Sequence, residues 1–356
     1  MRPSLGEEMA EKAYISLSVG HIQLPIRNPL DLIMAVLKAA EKLLTTRVEK
    51  PIAVYAYNQD PENVVAGLVF KFLLRSPLVI VYHHVSDSTF SSFGEGILGR
   101  RRKGYGLLAS AWRSAVPALN RISAKVADVH LALSYTTKVE VEQLLNVKDC
   151  VVVGNGIDTT KFKPLEIEKK YDAAFLGRIV HQKGIETLLR AWAIVCRQKP
   201  DSKLILMGGV EKPELVYFSK LARELGVLGS VEFKGFLNDD EVVKSLCASR
   251  LFVFPSRKEG FAQAVSQAMA CGLCCVISDI PPLRETYGDV AIFVPPDDPG
   301  QLAACISKML DDPEKCRELG IRSRQFVQKF NWGGVVEKEL EAMHRRTGLQ
   351  KGSDFY

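Results

Sequence analysis

The chain of 356 residues has no apolar run approaching the roughly 20 residues that a membrane-spanning helix needs. The nearest candidate, residues 64–74, is interrupted by Lys71. Its opening is acidic and polar (Glu7, Glu8, Glu11), unlike the basic and then apolar start of a secretory signal, so a cytoplasmic location is the expectation. The eight cysteines show no zinc spacing. Cys271, Cys274 and Cys275 sit in an apolar run with no histidine nearby, and they read as small core residues in a reducing compartment. There is no Asp-rich metal site. The net charge, +6, is too small for this length to indicate a nucleic-acid partner. The charge is uneven, however. Arg100, Arg101, Arg102 and Lys103 form a block ahead of Leu107, Leu108, Trp112 and Val116, which share one helical face. That pattern predicts weak, peripheral contact with an anionic membrane surface; a solvated basic loop before an ordinary core helix is the equal alternative.

What is present is the alternation of an α/β protein, long enough for two domains. In the C-terminal half, residues 171–176, 203–207, 231–236, 251–254, 274–277 and 291–294 read as short apolar strands. Between them, Ile185, Leu188, Leu189, Trp192 and Cys196 recur at helical spacing, as do Leu302, Cys305, Ile306, Met309 and Leu310; residues 215–225, 262–270 and 332–346 are also helical. Such alternation implies a parallel sheet covered on both faces, with ligands outside the carboxyl ends of its strands. The N-terminal half is similar but less regular. Its strands are residues 14–19, 51–57, 78–82, 129–133 and 151–153, its helices 31–44 and 62–74, and a Ser- and Gly-rich segment fills 83–106. Gly154, Asn155, Gly156, Asp158 and Pro164 cluster as breakers and mark the boundary. The expected domains are therefore residues 1–155 and 156–330, with a C-terminal helix and tail over 331–356.

Two constellations carry candidate chemistry. Gly177-Arg178 and Lys183-Gly184 occupy a strand-to-helix turn, placing two cations beside a helix N-terminus that already favours anions. This suits a diphosphate; a solvated basic loop is the competing reading. The second is the run 256–270, in which Glu259 and Gly260 follow a strand and precede a helix carrying Gln267. A carboxylate there can accept hydrogen bonds from hydroxyls, or simply favour the helix dipole.

Taken together, these stretches resemble the retaining, two-domain, double-Rossmann (B-type) glycosyltransferases of the large group 1 or family 4 kind, which include sucrose-phosphate and trehalose synthases and bacterial and archaeal mannosyltransferases. The matching residues are Asn155-Gly156-Ile157-Asp158 with Phe162 and Pro164, Gly177-Arg178 with Lys183-Gly184, Phe254-Pro255-Ser256 with Glu259-Gly260-Phe261, Ala268-Met269-Ala270 with Gly272, and Arg284-Glu285. The resemblance implies two Rossmann-like domains facing across a cleft and a hexosyl group moved, with retention, from a nucleotide-sugar donor to a glycan or lipid-linked acceptor. It implies that Arg178 and Lys183 bind the diphosphate, that Glu259 meets the transferred sugar, and that Gly177 and the backbone of Phe261, Ala262 and Gln263 line the donor. The family's histidine after the last strand before its long loop falls on His83 or His84, with His83 preferred for a place near sugar and diphosphate. No cofactor and no divalent metal are implied.

The chain departs from the pattern in places. The family's second glutamate, which holds the ribose, is Gln267 here, and the glycines and proline after Phe261 are replaced by Ala262 and Ala264. An amide still binds hydroxyls but without charge assistance. The succession 14–19, 31–44, 51–57 resembles the family's third and fourth strands rather than its opening strand, glycine turn and helix. A shortfall of about thirty residues, one βαβ unit, is therefore expected at the N-terminus. Two alternatives stay open: a sugar-nucleotide epimerase of the same fold, and a degenerate transferase acting as a partner subunit.

Overall fold

The computed structural model describes residues 53–57, 61–83, 118 and 120–347. They fall in two compact units, Met1–Gly154 with Val335–Tyr356, and Asn155–Gly334. The expected elements at 14–19 and 31–44, the basic block 100–103 and His84 lie outside the described residues. No described helix is long and apolar enough to cross a membrane.

The first unit holds four parallel strands in chain order: β1 (Val54–Ala56), β2 (Leu78–Tyr82), β3 (Val129–Ala132) and β4 (Val151–Val152). Among the described strands, β1 pairs with β2 alone. β2 is buried along its whole length, as an apolar run covered on both faces must be. α1 (Pro61–Leu74) and α2 (Tyr135–Leu145) join these strands, and Ser134 caps α2 by accepting from the N–H of Thr137 at 3.1 Å. The Asp128 carboxylate pairs with Lys71 and accepts from the Leu78 N–H at 2.7 Å, tying α1 and β2 to the start of β3. The last helix, α10 (Trp332–Thr347), joins this unit from Val335 onward: the Tyr55 hydroxyl donates to Met343 Sδ, and Arg346 pairs with Asp149.

The second unit is a six-stranded parallel sheet. Its strands are β5 (Tyr171–Leu176), β6 (Leu204–Met207), β7 (Val231–Gly235), β8 (Ser249–Phe254), β9 (Cys274–Ser278) and β10 (Ile292–Val294), in the spatial order β10-β9-β8-β5-β6-β7. The core explains the sequence pattern. Ile185, Leu188, Leu189, Trp192 and Val195 form the buried stripe of α3 (Ile185–Gln198), while Cys196 is only half-buried, at the margin of that stripe. Cys271, Cys274 and Cys275 are buried among apolar neighbours, and their thiols are pushed up in pKa. For Cys271 and Cys274 the first cause is the hydrogen bond that each thiol donates to a neighbouring cysteine, Cys247 and Cys316 respectively; for Cys275 it is burial. The remaining helices are α4 (Lys212–Glu224), α5 (Asp239–Cys247), α6 (Gln263–Ala270), α7 (Pro281–Tyr287), α8 (Pro299–Asp311) and α9 (Pro313–Val327). The two ends of this unit meet. Ile157 N–H donates to the Phe330 carbonyl at 2.7 Å, and a Cβ on Gly156 would lie 2.3 Å from the Trp332 ring.

Candidate active site

Because all six strands of the second unit run parallel, their carboxyl ends share one edge. Strand order reverses between β5 and β8, which opens the crevice where ligands of such sheets bind. Both candidate constellations leave from these two strands. After β5 the chain turns through Gly177 and Arg178 into a single 3₁₀ turn, His181–Lys183, and then enters α3. After β8 it passes through Pro255, Ser256 and Glu259 into α6. The two loops touch at Gly184. Its φ is +71°, and a Cβ there would lie 1.9 Å from the Pro255 carbonyl oxygen, so only glycine fits.

This close approach brings Lys183 to Glu259. The ammonium and carboxylate form an ion pair, Nζ to Oε1 at 2.5 Å, with side chains 18% and 8% exposed. Lys183 Nζ also lies 5.6 Å from the centroid of the Phe254 ring, and Phe254 stacks on Phe175 at 5.7 Å. Arg178 is exposed, and its side chain bonds to no other described residue. α3 has no side-chain cap, which leaves its N-terminal amides open toward this edge. Two cations, an uncapped helix N-terminus and a carboxylate are thus gathered by residues 76 positions apart in sequence.

The loop after Glu259 is fixed from behind. Phe261 packs against Tyr287 and Phe330, at 6.2 and 6.0 Å between ring centroids. The buried Tyr287 hydroxyl donates to the Ala262 carbonyl at 2.7 Å and also meets Ser266; desolvation pushes its pKa up. Gln263 Nε2 donates to the Gly156 carbonyl at 2.8 Å, so this side chain ties α6 to the start of the unit. Gln267 lies one turn later on α6, half-buried, with no side-chain hydrogen bond among the described residues. His83 directly follows β2 in the first unit, half-buried, its ring 5.1 Å from that of Tyr57. Gly177, with φ +150°, donates its N–H to the Met207 carbonyl at 2.9 Å.

Some motif residues make structural contacts. Asp158 accepts from the N–H groups of Thr160 and Lys161 at 2.9 and 3.0 Å and from the Thr160 hydroxyl, the main cause of its lowered pKa. Ile157 and Phe162 are buried. Arg284 holds Asp279 through two hydrogen bonds and covers the Phe293 ring at 3.8 Å. Other contacts at this edge were not read from the sequence. Arg257 Nε donates to Asp297 Oδ1 at 2.6 Å, and Ser256 is fully buried with its hydroxyl on the Lys258 carbonyl. The Asp297-Asp298 pair before Pro299 was the available signal, but only Asp298 is needed to cap α8.

A cavity of about 430 Å³ lies at the opposite end of the sheet, lined among others by Lys169, Cys247, Cys271 and Arg324. Two of its cations, Lys169 and Arg324, bond to backbone carbonyls. Lys169 donates to Cys247 and Ser249 at 2.8 Å each, and Arg324 donates to Ala270. The crevice above β5 and β8, where charges converge, is the better site. Among the described residues, no group of three or more His, Cys, Asp and Glu is placed to hold a metal ion.

Residues 156–326 match the family model described as "Glycosyl transferases group 1". The chain is 28% identical over 267 residues to alpha-maltose-1-phosphate synthase of Mycolicibacterium smegmatis, covering 67% of each chain. It is 27% identical over 254 residues to D-inositol 3-phosphate glycosyltransferase of Thermobispora bispora, covering 62% of this chain and 59% of that one. With MMP alpha-(1->4)-mannosyltransferase of Mycolicibacterium hassiacum it shares 32% identity over 194 residues, 53% of this chain and 46% of the other. The chain therefore spans less than two thirds of the length of the last two relatives. Its fold resembles sucrose-phosphate synthase from Thermosynechococcus elongatus, with TM-score 0.70 and 21% identity over 90% of this chain and 80% of that one. It also resembles Anabaena HepE solved in complex with UDP and glucose, with TM-score 0.66 and 19% identity over 90% and 82%. Both likenesses fit two Rossmann-like α/β units. Its sheet order, its switch-point residues and the match over nearly all of its second unit thus agree on a group 1 glycosyl transferase domain over residues 156–326.

Proposed function

We propose that the chain moves a hexosyl group from a nucleoside-diphosphate sugar to a glycan or lipid-linked acceptor, with retention of anomeric configuration. The observation that carries this is the Lys183–Glu259 pair at the switch point, beside Arg178 and the open N-terminus of α3. Breaking the bond between sugar C1 and phosphate oxygen builds negative charge on the departing diphosphate. Arg178, Lys183 and the α3 amides neutralise that charge most strongly when it is largest, as transition-state stabilisation requires. Glu259 accepts from sugar hydroxyls once Lys183 is shared with phosphate. Gln267 bonds the ribose, and His83 is the family histidine. The acceptor hydroxyl attacks C1 from the side the diphosphate leaves, and its proton passes to the departing phosphate oxygen. No divalent metal is required in this reading, because fixed cations supply the charge.

Relatives support the donor class. HepE was solved in complex with UDP and glucose, and the M. hassiacum relative is named a mannosyltransferase. The basic block 100–103 supports peripheral contact with anionic membranes, and with it a cytoplasmic-face, lipid-linked acceptor. Thermal-shift measurements with UDP-, GDP- and ADP-sugars test the donor, followed by NMR assignment of the product anomer. Turnover abolished by chelators, or an inverted product, would defeat the reading in those respects. Failure to bind any nucleotide sugar would defeat it entirely.

A further inference from the structure

Asp297 has a backbone that does not suit it. Its φ is +60°, in the left-handed region where a glycine would sit without strain. Aspartate tolerates this region when its carboxylate bonds to nearby backbone. Asp297 instead uses Oδ1 at long range, accepting from Arg257 Nε at 2.6 Å and from the Thr187 hydroxyl at 3.2 Å, 40 and 110 positions away. Arg257 and Asp297 are 38% and 53% exposed, and a pair so exposed adds little to stability. The strain therefore has another use.

The partners of this carboxylate indicate what that use is. Thr187 stands in the first turn of α3, three residues after Gly184. Arg257 stands two residues before Glu259. It also donates Nη1–H to the His181 carbonyl at 3.2 Å and its backbone N–H to the Gln182 carbonyl at 3.0 Å. Apart from the Lys183–Glu259 pair itself, the other ties between the two loops are longer: Ser256 Oγ to the Gln182 carbonyl at 3.4 Å, and Gln182 Nε2 to the Lys258 carbonyl at 3.5 Å. Asp297, reaching from the loop between β10 and α8, thus fastens both loops at once, the one carrying Lys183 and the one carrying Glu259.

We propose that Asp297 and Arg257 are positioning residues, a clamp across three loops that sets the distance between Lys183 and Glu259 for reaction; this rests on the function proposed above. The clamp touches no donor atom. It acts through the placement of the two charged side chains, for which an error of about 1 Å costs up to about a hundredfold in rate.

The test uses the purified full chain and whichever of UDP-glucose or GDP-mannose the wild type consumes, followed by release of UDP or GDP. Asp297→Gly removes the carboxylate and relieves the backbone. Asp297→Asn keeps an acceptor for Arg257 and tolerates the same φ, but carries no charge. Asp311→Asn, in the exposed Lys199–Asp311 pair, is the control. The expected result is that Asp297→Gly melts no lower than wild type, keeps KM within about threefold, and loses about tenfold or more in kcat. Asp297→Asn recovers most of that loss. Wild-type kcat in Asp297→Gly would overturn the clamp, and so would a loss of rate matched by a loss of folded protein. Equal impairment of the Asn and Gly variants would assign the effect to charge and overturn positioning. A wild type that neither binds UDP or GDP nor consumes either donor would refute the parent function, a result distinct from a normal wild type with an indifferent Asp297→Gly.

Discussion

Lys183→Ala should weaken the fold as well as the reaction, and the two losses can be separated. With 8% exposure, Glu259 is left without its cation when Lys183 is removed. Breaking a buried ion pair from one side costs about 3–5 kcal/mol. Lys183 retains 18% exposure, so water can enter, and a value of about 3 kcal/mol is expected. The second unit has about 180 residues, for which each kcal/mol moves the melting temperature about 2–4 °C. Lys183→Ala should therefore melt about 6–12 °C below wild type. Adding Glu259→Gln removes the stranded charge while keeping the shape, so the double variant should regain more than half of the loss. A double-mutant cycle by urea unfolding reads the coupling, expected at about 2–3 kcal/mol. Turnover behaves differently: Lys183→Ala and the double variant should both fall about 10²–10³-fold, since restored stability does not restore a charge stabiliser. If Lys183→Ala melts like wild type, or Glu259→Gln rescues nothing, the pair is not the desolvated contact described here. Normal turnover in the folded variant would place the diphosphate elsewhere.

Three further outcomes are expected. Gln267→Glu should tighten UDP or GDP binding by calorimetry, because a carboxylate makes stronger bonds to ribose hydroxyls than an amide does; unchanged or weaker binding would remove Gln267 from the ribose site. Gly184→Ala should fail to give a folded second unit by circular dichroism and proteolysis, since its Cβ would enter the Pro255 carbonyl. The third concerns His130, whose burial, with help from Arg346 and against Asp128, lowers its pKa to about 4, while the unfolded chain protonates it near 6.5. Its contribution is therefore complete above about pH 6.5 and disappears between about 6.5 and 4, up to about 3 kcal/mol. Urea unfolding at pH 7.5 and 5 should show this slope in wild type and a shallower one in His130→Gln.

The strands of the second unit were legible because a sheet covered on both faces must be built from uninterrupted apolar residues, as in Leu204–Met207. α3 was legible from its stripe, and the turn at Gly177 and Gly184 from its glycines. α9 was not, and its packing says why. It buries Cys316, Gly320, Ser323 and Val327, small residues that let its backbone approach Gly272, where a Cβ on Gly320 would lie 2.1 Å from the carbonyl oxygen. Close backbone contact replaces the large apolar stripe that periodicity detects. α5 carried a readable signal in the Asn238 and Glu241 capping box, but its short apolar face of Val242, Val243 and Leu246 gave little period to find. At the site, the residue types and their loops could be read, but not the pairing. That Lys183 meets Glu259 depends on β5 lying beside β8, and that Asp297 meets Arg257 depends on a third loop from β10, neither of which local sequence encodes.

The meeting of the second unit's ends has a consequence for how such proteins are built and rebuilt. Residues 155–334 leave and return within one hydrogen bond, Ile157 to Phe330, while the first unit resumes at Val335 in α10. The second unit is thus an insert with joined ends, and the first a host whose own chain is interrupted. Replacing such an insert with another of different length leaves the host a gap of constant width to span, so the entropy of closing it is nearly unchanged. On the function proposed above, Arg178, Lys183, Glu259 and Gln267 all travel in this insert, so its donor-facing residues form one cassette with cut points at Gly154 and Gly334.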